Sequence, residues 1–116
     1  MEKSDKMEKS EDRLQEDIVQ YMWNNYPETR GLFCYNQNNS KNRIDGYRNK
    51  LKGIIQGRSD LVLYYSGRAY FFELKTTTGR QSAEQKEWET LVSSHGFMYY
   101  IVRSLDEFKM IIERVL

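Results

Sequence analysis

An α/β fold, a mixed β-sheet flanked by helices, is predicted by three features of this chain. Leu61-Val62-Leu63-Tyr64-Tyr65 and Ala69-Tyr70-Phe71-Phe72 are β-branched or aromatic runs around the turn pair Ser66-Gly67, the pattern of an antiparallel hairpin. Ser82-Ala83-Glu84-Gln85 then matches a helix-opening capping box, with Trp88, Leu91 and Val92 at helical spacing behind it. Residues 97–102 form a third apolar run. A strand–helix–strand crossover sets this last strand parallel to the second hairpin strand.

The remaining elements follow in order. Residues 1–9, rich in Lys and Glu, are expected to be a flexible, solvated tail, with residues 10–116 as one domain. From Ser10 to Asn24, Leu14, Ile18, Tyr21 and Met22 recur at helical spacing, so this segment is an amphipathic helix. Tyr26-Pro27 ends it, because proline disfavours helical geometry in the residue before it. Residues 31–35 suit a strand running into the polar loop Asn36-Gln37-Asn38-Asn39-Ser40. Strands are expected at 61–65 and 69–75, then a helix from Ser82 to His95 that stops at Gly96. Ser104-x-x-Glu107 is a second capping box, opening a closing helix with Phe108, Ile111, Ile112 and Val115 on one face.

The hairpin carries the chemistry. It folds Asp60, at the start of its first strand, back beside Glu73 at the end of its second. Glu73 and Lys75 are two residues apart and share a face of the strand. Two carboxylates and an ammonium therefore converge at one sheet edge. Mg²⁺ takes oxygen ligands, keeps several waters and is held by one or two carboxylates plus a substrate phosphate. Such a cation polarises phosphoryl oxygens and acidifies a bound water. A neighbouring lysine orients that water or neutralises charge that builds on the phosphate. The carbonyl of Leu74 is a further candidate ligand. The alternative for the pair is a plain cross-strand ion pair on a solvated face.

Composition bounds the rest. The net charge is +1, but residues 41–80 hold nine Lys/Arg against three Asp/Glu, whereas the segments on either side are net acidic. Lys41, Arg43, Arg48, Lys50, Lys52 and Arg58 form a basic segment leading into the hairpin, suited to tracking a phosphate backbone. The one histidine, His95, and the one cysteine, Cys34, exclude an ordinary zinc site and an intrachain disulfide. No apolar run approaches the roughly 18 residues that span a bilayer, and the start lacks an apolar signal-peptide region. Ser-His-Asp and Cys-His catalysis have no supporting nucleophile motif.

Gly57-x-x-Asp60, Phe72-Glu73-Leu74-Lys75, Gly79-Arg80-x-Ser82-x-x-Gln85-x-x-Trp88, Gly96-Phe97 and Val102-x-Ser104-x-Asp106-Glu107 together resemble a VRR-NUC domain, of the PD-(D/E)xK nuclease superfamily. The resemblance runs from about Glu11 to Val115. It implies a restriction-endonuclease-like core and a Mg²⁺- or Mn²⁺-dependent phosphodiesterase. The acidic residues Asp60 and Glu73 would be ligands and Lys75 the catalytic lysine. One departure is Ser59, where the family usually has proline before the aspartate; this removes no ligand. The family's N-terminal helix carries a Glu and, four residues on, a Gln facing the metal. Glu11 and Gln15 match that spacing, and Glu16 is the rival ligand. The family also places a glutamine at Gln85 near the metal waters or the scissile phosphate, a role that competes with its place in the capping box. An asparagine-containing loop lies near the family's site, but Asn36, Gln37 and Asn38 are equally placed for it.

The expected function is hydrolysis of DNA, with Asp60, Glu73, Lys75 and Gln85 catalytic and Glu11, Asp60, Glu73 and Leu74 on the metal. Arg48, Lys50, Lys52, Arg58 and Arg80 are expected to bind the nucleic acid. Stand-alone domains of this size in the family resemble Holliday-junction resolvases, which implies structured or branched DNA and a homodimer. Exposed aromatic rings such as Tyr64, Tyr70 or Tyr99 would face the partner copy. No organic cofactor or membrane is expected, and the expected location is the cytoplasm of a bacterial cell or phage-infected host. The alternatives are a nucleic-acid-binding module that kept the fold without turnover, and a βαβ interaction domain.

Overall fold

The structure, a computed structural model, describes residues 10–36, 47–48 and 50–116. The expected tail at 1–9, and Gln37, Asn38, Lys41 and Arg43, lie outside the described residues. Helix α1 (Glu11–Asn25) is capped by the Ser10 side chain, which accepts from the Arg13 amide, and carries Glu11 and Asp12 in its first turn. A 3₁₀ turn at Pro27–Thr29 follows. The strands are β1 (Phe33–Tyr35), β2 (Leu61–Tyr65), β3 (Arg68–Leu74) and β4 (Met98–Val102), with helices α2 (Ala83–Ser94) and α3 (Leu105–Val115).

The sheet is ordered β1-β2-β3-β4. β1 and β2, and β2 and β3, pair antiparallel, while β3 and β4 pair parallel, so the sheet is mixed as expected. Tyr65 pairs with Arg68 across a two-residue loop. Ser66 (φ 51°) and Gly67 (φ 77°) both adopt the left-handed conformation that lets such a loop follow the strand twist.

Side chains alternate across each strand. One face presents Leu61, Leu63, Tyr70, Phe72, Leu74 and Val102 to Leu14, Ile18 and Met22 of α1 and to Phe108 and Ile112 of α3. Phe72 sits at its centre, stacked on Tyr100 and edge-on to Phe108. The opposite face carries Phe71, which packs edge-on against Trp88 of α2 at 4.8 Å. Asp60, Glu73 and Lys75 belong by register to this α2 side.

Several expectations need correction. Tyr70 is buried in the core, and Tyr99 turns its hydroxyl inward onto Glu73, so of the three named rings Tyr64 alone is exposed. β3 is buried along its last residues on both faces, which defeats a surface assignment by alternation. The second capping box is half formed: Ser104 caps the Glu107 amide, but the Glu107 carboxylate accepts from the Arg103 amide instead of the Ser104 amide. Among the described residues no helix is long and apolar enough to cross a membrane.

Candidate functional site

The open end of the hairpin is built by strand geometry. Successive amides of a strand point to opposite edges; the Lys75 amide donates to the Val102 carbonyl of the β4 side. The Leu74 amide therefore faces the β2 side, where the ladder has run out. There the Asp60 carboxylate takes the vacant place, its Oδ2 accepting from the Leu74 amide at 2.6 Å. Asp60 is fixed from behind as well. Its carbonyl accepts from the Asn36 amide at 2.8 Å, and the Asn36 side chain donates to the Ser59 carbonyl and accepts from the Arg58 guanidinium. Ser59 is fully buried and donates its hydroxyl to the Leu61 carbonyl. A hydrogen-bonding serine thus stiffens the approach to Asp60 where the resembling family has proline.

Glu73 is fully buried and Lys75 nearly so. The Lys75 ammonium lies 3.5 Å from Glu73 Oε2, at the long end of an ion pair, and Oε2 has no hydrogen bond. Glu73 Oε1, in contrast, accepts from the Tyr99 hydroxyl and from the Gln81 side-chain amide. The loop after Lys75 is pinned by Arg103, whose guanidinium donates to the Thr76 and Gly79 carbonyls, each at 2.7 Å. Gly79 packs so closely that a Cβ there would lie 2.9 Å from Thr76 Oγ1.

Electrostatics mark the same place. Burial pushes the Asp60 carboxyl up to about 6, with smaller upward contributions from Glu11 and Glu73; the Leu74 amide and Lys75 oppose the rise. Burial and the hydrogen bond to Glu73 likewise push the Tyr99 phenol up. The α1 carboxylate that raises Asp60 is Glu11.

These residues fit a hard divalent cation. The donor set is all oxygen, two carboxylates repel one another across a partly desolvated gap, and Glu73 Oε2 is a buried acceptor without a hydrogen-bond donor. Among the described residues no group of three or more His, Cys, Asp or Glu side chains clusters as a ready-made metal cage. The set suits an ion that keeps waters and takes further oxygens from substrate.

The other expected residues divide. Gln85 is engaged in the capping box of α2, its Oε1 accepting from the Ser82 amide at 2.8 Å while Ser82 caps the Gln85 amide. The glutamine that touches Glu73 is Gln81, four residues earlier. Arg48, Lys50, Lys52 and Arg80 are exposed, whereas Arg58 is half-buried and holds Asn36. Leu74 buries its side chain in the core and uses its amide on Asp60. Sequence reasoning missed Gln81, Tyr99 and the bracing role of Asn36; the asparagine-rich loop was the one available signal, and it favoured none of its members.

No family model matches this sequence, and no curated protein matches it. A search of solved structures matches a chain described as a VRR_NUC domain protein, with a TM-score of 0.78 at 15% identity, over 91% of this chain and 87% of that one. An agreement of that extent at so low an identity speaks for the backbone arrangement. The chain has the restriction-endonuclease-like α/β fold of a VRR-NUC domain.

Proposed function

We propose that this protein is a Mg²⁺- or Mn²⁺-dependent endonuclease that hydrolyses phosphodiester bonds in DNA, and that structured or branched DNA is its substrate. One observation carries the reading. Asp60, Glu73 and Lys75 meet at the open end of one hairpin, with the Lys75 ammonium 3.5 Å from Glu73 Oε2 and the Asp60 carboxylate seated on the next amide of the same strand. Asp60 and Glu73 would hold the cation, with Glu11 and the Leu74 carbonyl as further ligands. When bound, the cation supplies Lewis-acid polarisation of a phosphate oxygen and an acidified water. Lys75, held in place by Glu73 and by the packed Thr76–Gly79 loop, offsets negative charge that builds on the phosphate. Arg48, Lys50, Lys52 and Arg80 lie exposed and attract the backbone.

Two copies acting together would address two strands of a junction. Pairing is supported by the exposed apolar residues Leu32, Tyr64, Phe97 and Met98 at the turn end of the hairpin, and sedimentation showing a monomer at tens of micromolar would count against it. A cytoplasmic setting accords with the one unpaired cysteine. The test of function is cleavage across junction, flap, nicked duplex and single-stranded DNA, with Mg²⁺, Mn²⁺ or chelator. Cleavage that needs the metal is expected. Binding without cleavage in every metal would replace the enzyme by a binding module on a nuclease fold.

A further inference from the structure

We infer that Tyr99 and Gln81 are positioning residues for Glu73: together they occupy its Oε1 and leave Oε2 as the one oxygen free for a divalent cation. The inference rests on the metal-dependent reading above and names how that site is set. A carboxylate at zero exposure must have its lone pairs or its charge compensated. Here the compensation is one-sided. The Tyr99 hydroxyl and the Gln81 Nε2, at 3.3 Å, both donate to Oε1, while Oε2 has only the Lys75 ammonium at 3.5 Å. The carboxylate torsion is intrinsically broad, so two donors on one oxygen are what fixes it.

The donors are themselves held. Gln81 Nε2 also donates to Glu89 Oε1 at 2.9 Å, so a carboxylate on α2 aims the amide. The Tyr99 ring packs against Trp88, with centroids 6.0 Å apart, and its β4 position pairs with Phe71, two residues before Glu73. Loop, helix and crossover strand thus converge on a single oxygen atom. A one-oxygen ligand suits Mg²⁺ and Mn²⁺, whereas Ca²⁺ readily takes both oxygens of a carboxylate. The arrangement therefore also sets which cation is preferred.

The test uses the full chain without DNA and reads Mn²⁺ and Ca²⁺ binding by calorimetry, with thermal unfolding of the metal-free protein alongside. Tyr99→Phe keeps the ring and Gln81→Met keeps the side-chain length. Each is expected to weaken Mn²⁺ binding about 10-fold, the lower end for losing an outer partner of a ligand, with Ca²⁺ weakened less. Unchanged Mn²⁺ affinity in both variants overturns the inference. So does a loss of affinity that is equal for the two cations and tracks a loss of melting temperature, because that is the signature of a structural role. Glu73→Gln separates the premise from the inference. If wild type fails to bind Mn²⁺, or Glu73→Gln binds it equally well, the metal site itself is wrong.

Discussion

The two ends of the β2–β3 hairpin are made of opposite materials. At the turn end, Ser66 and Gly67 satisfy the chain by local geometry alone, and a shallow groove is lined by Leu32, Tyr64, Arg68 and Phe97. At the open end, Asp60, Glu73 and Lys75 put charges out of water and hold them with amides and side chains drawn from other elements. The groove at the turn end has none of the candidate chemistry, which lies with the buried charges of the open end. A buried charge is a guide to function here. Burying a charge is expensive unless it is compensated, so its presence marks a place where something beyond folding is selected.

Variants test whether the ends differ in this way. The largest effect is expected from Lys75→Met in metal-free protein. It leaves the Glu73 carboxylate buried without its cation and should lower stability by about 3 kcal/mol in denaturant titration, partly recovered by Mn²⁺. Gly57→Ala comes next. Gly57 has φ +85°, and a Cβ there would lie 2.5 Å from the Glu84 carbonyl oxygen at the start of α2. A loss of about 2 kcal/mol is expected in the same titration.

Asp60→Asn should act in the other direction. The folded-state value of about 6 exceeds the ordinary 3.8, so between these values the folded protein binds more protons than the unfolded chain. Stability of the metal-free wild type should therefore fall as pH rises from about 4 to about 6. Asp60→Asn should flatten that fall and gain about 1 kcal/mol at pH 7, while binding metal more weakly. Melting curves across pH check the sign; a wild-type protein that becomes more stable over this window through Asp60 contradicts it. Smallest is Gly67→Ala at the turn end, with a loss of about 1 kcal/mol through its positive φ and no change in Mn²⁺ affinity.

The same contrast explains what could be read from the sequence. The hairpin, the Ser82 capping box and the β3–β4 crossover are announced by adjacent residues, and the structure has them within a residue or so of their expected limits. Asp60, Glu73 and Lys75 were legible because one hairpin brings them together. Gln81 and Tyr99 were not, because the crossover through α2 is what carries them to Glu73, and spacing along the chain holds no trace of it. Gln85 alone was expected near the site, whereas Gln81, four residues earlier, is the glutamine that reaches Glu73. Capping took Gln85, since an exposed helix start needs its amides satisfied locally. Tyr70 and Tyr99 escaped for a related reason: Tyr70 faces the core under α1 and α3, and Tyr99 is half-buried with its hydroxyl turned onto Glu73, contacts that only the assembled sheet creates.

The central claim is that the open end of the hairpin performs phosphodiester hydrolysis, and Lys75→Ala tests it most directly. Both carboxylates remain, so at saturating Mn²⁺ the variant should bind the metal and DNA while its cleavage rate drops by about 10²–10³, the scale for losing one preorganised charge-stabilising group. A Lys75→Ala protein that binds Mn²⁺ and cleaves DNA at the wild-type rate would contradict the account.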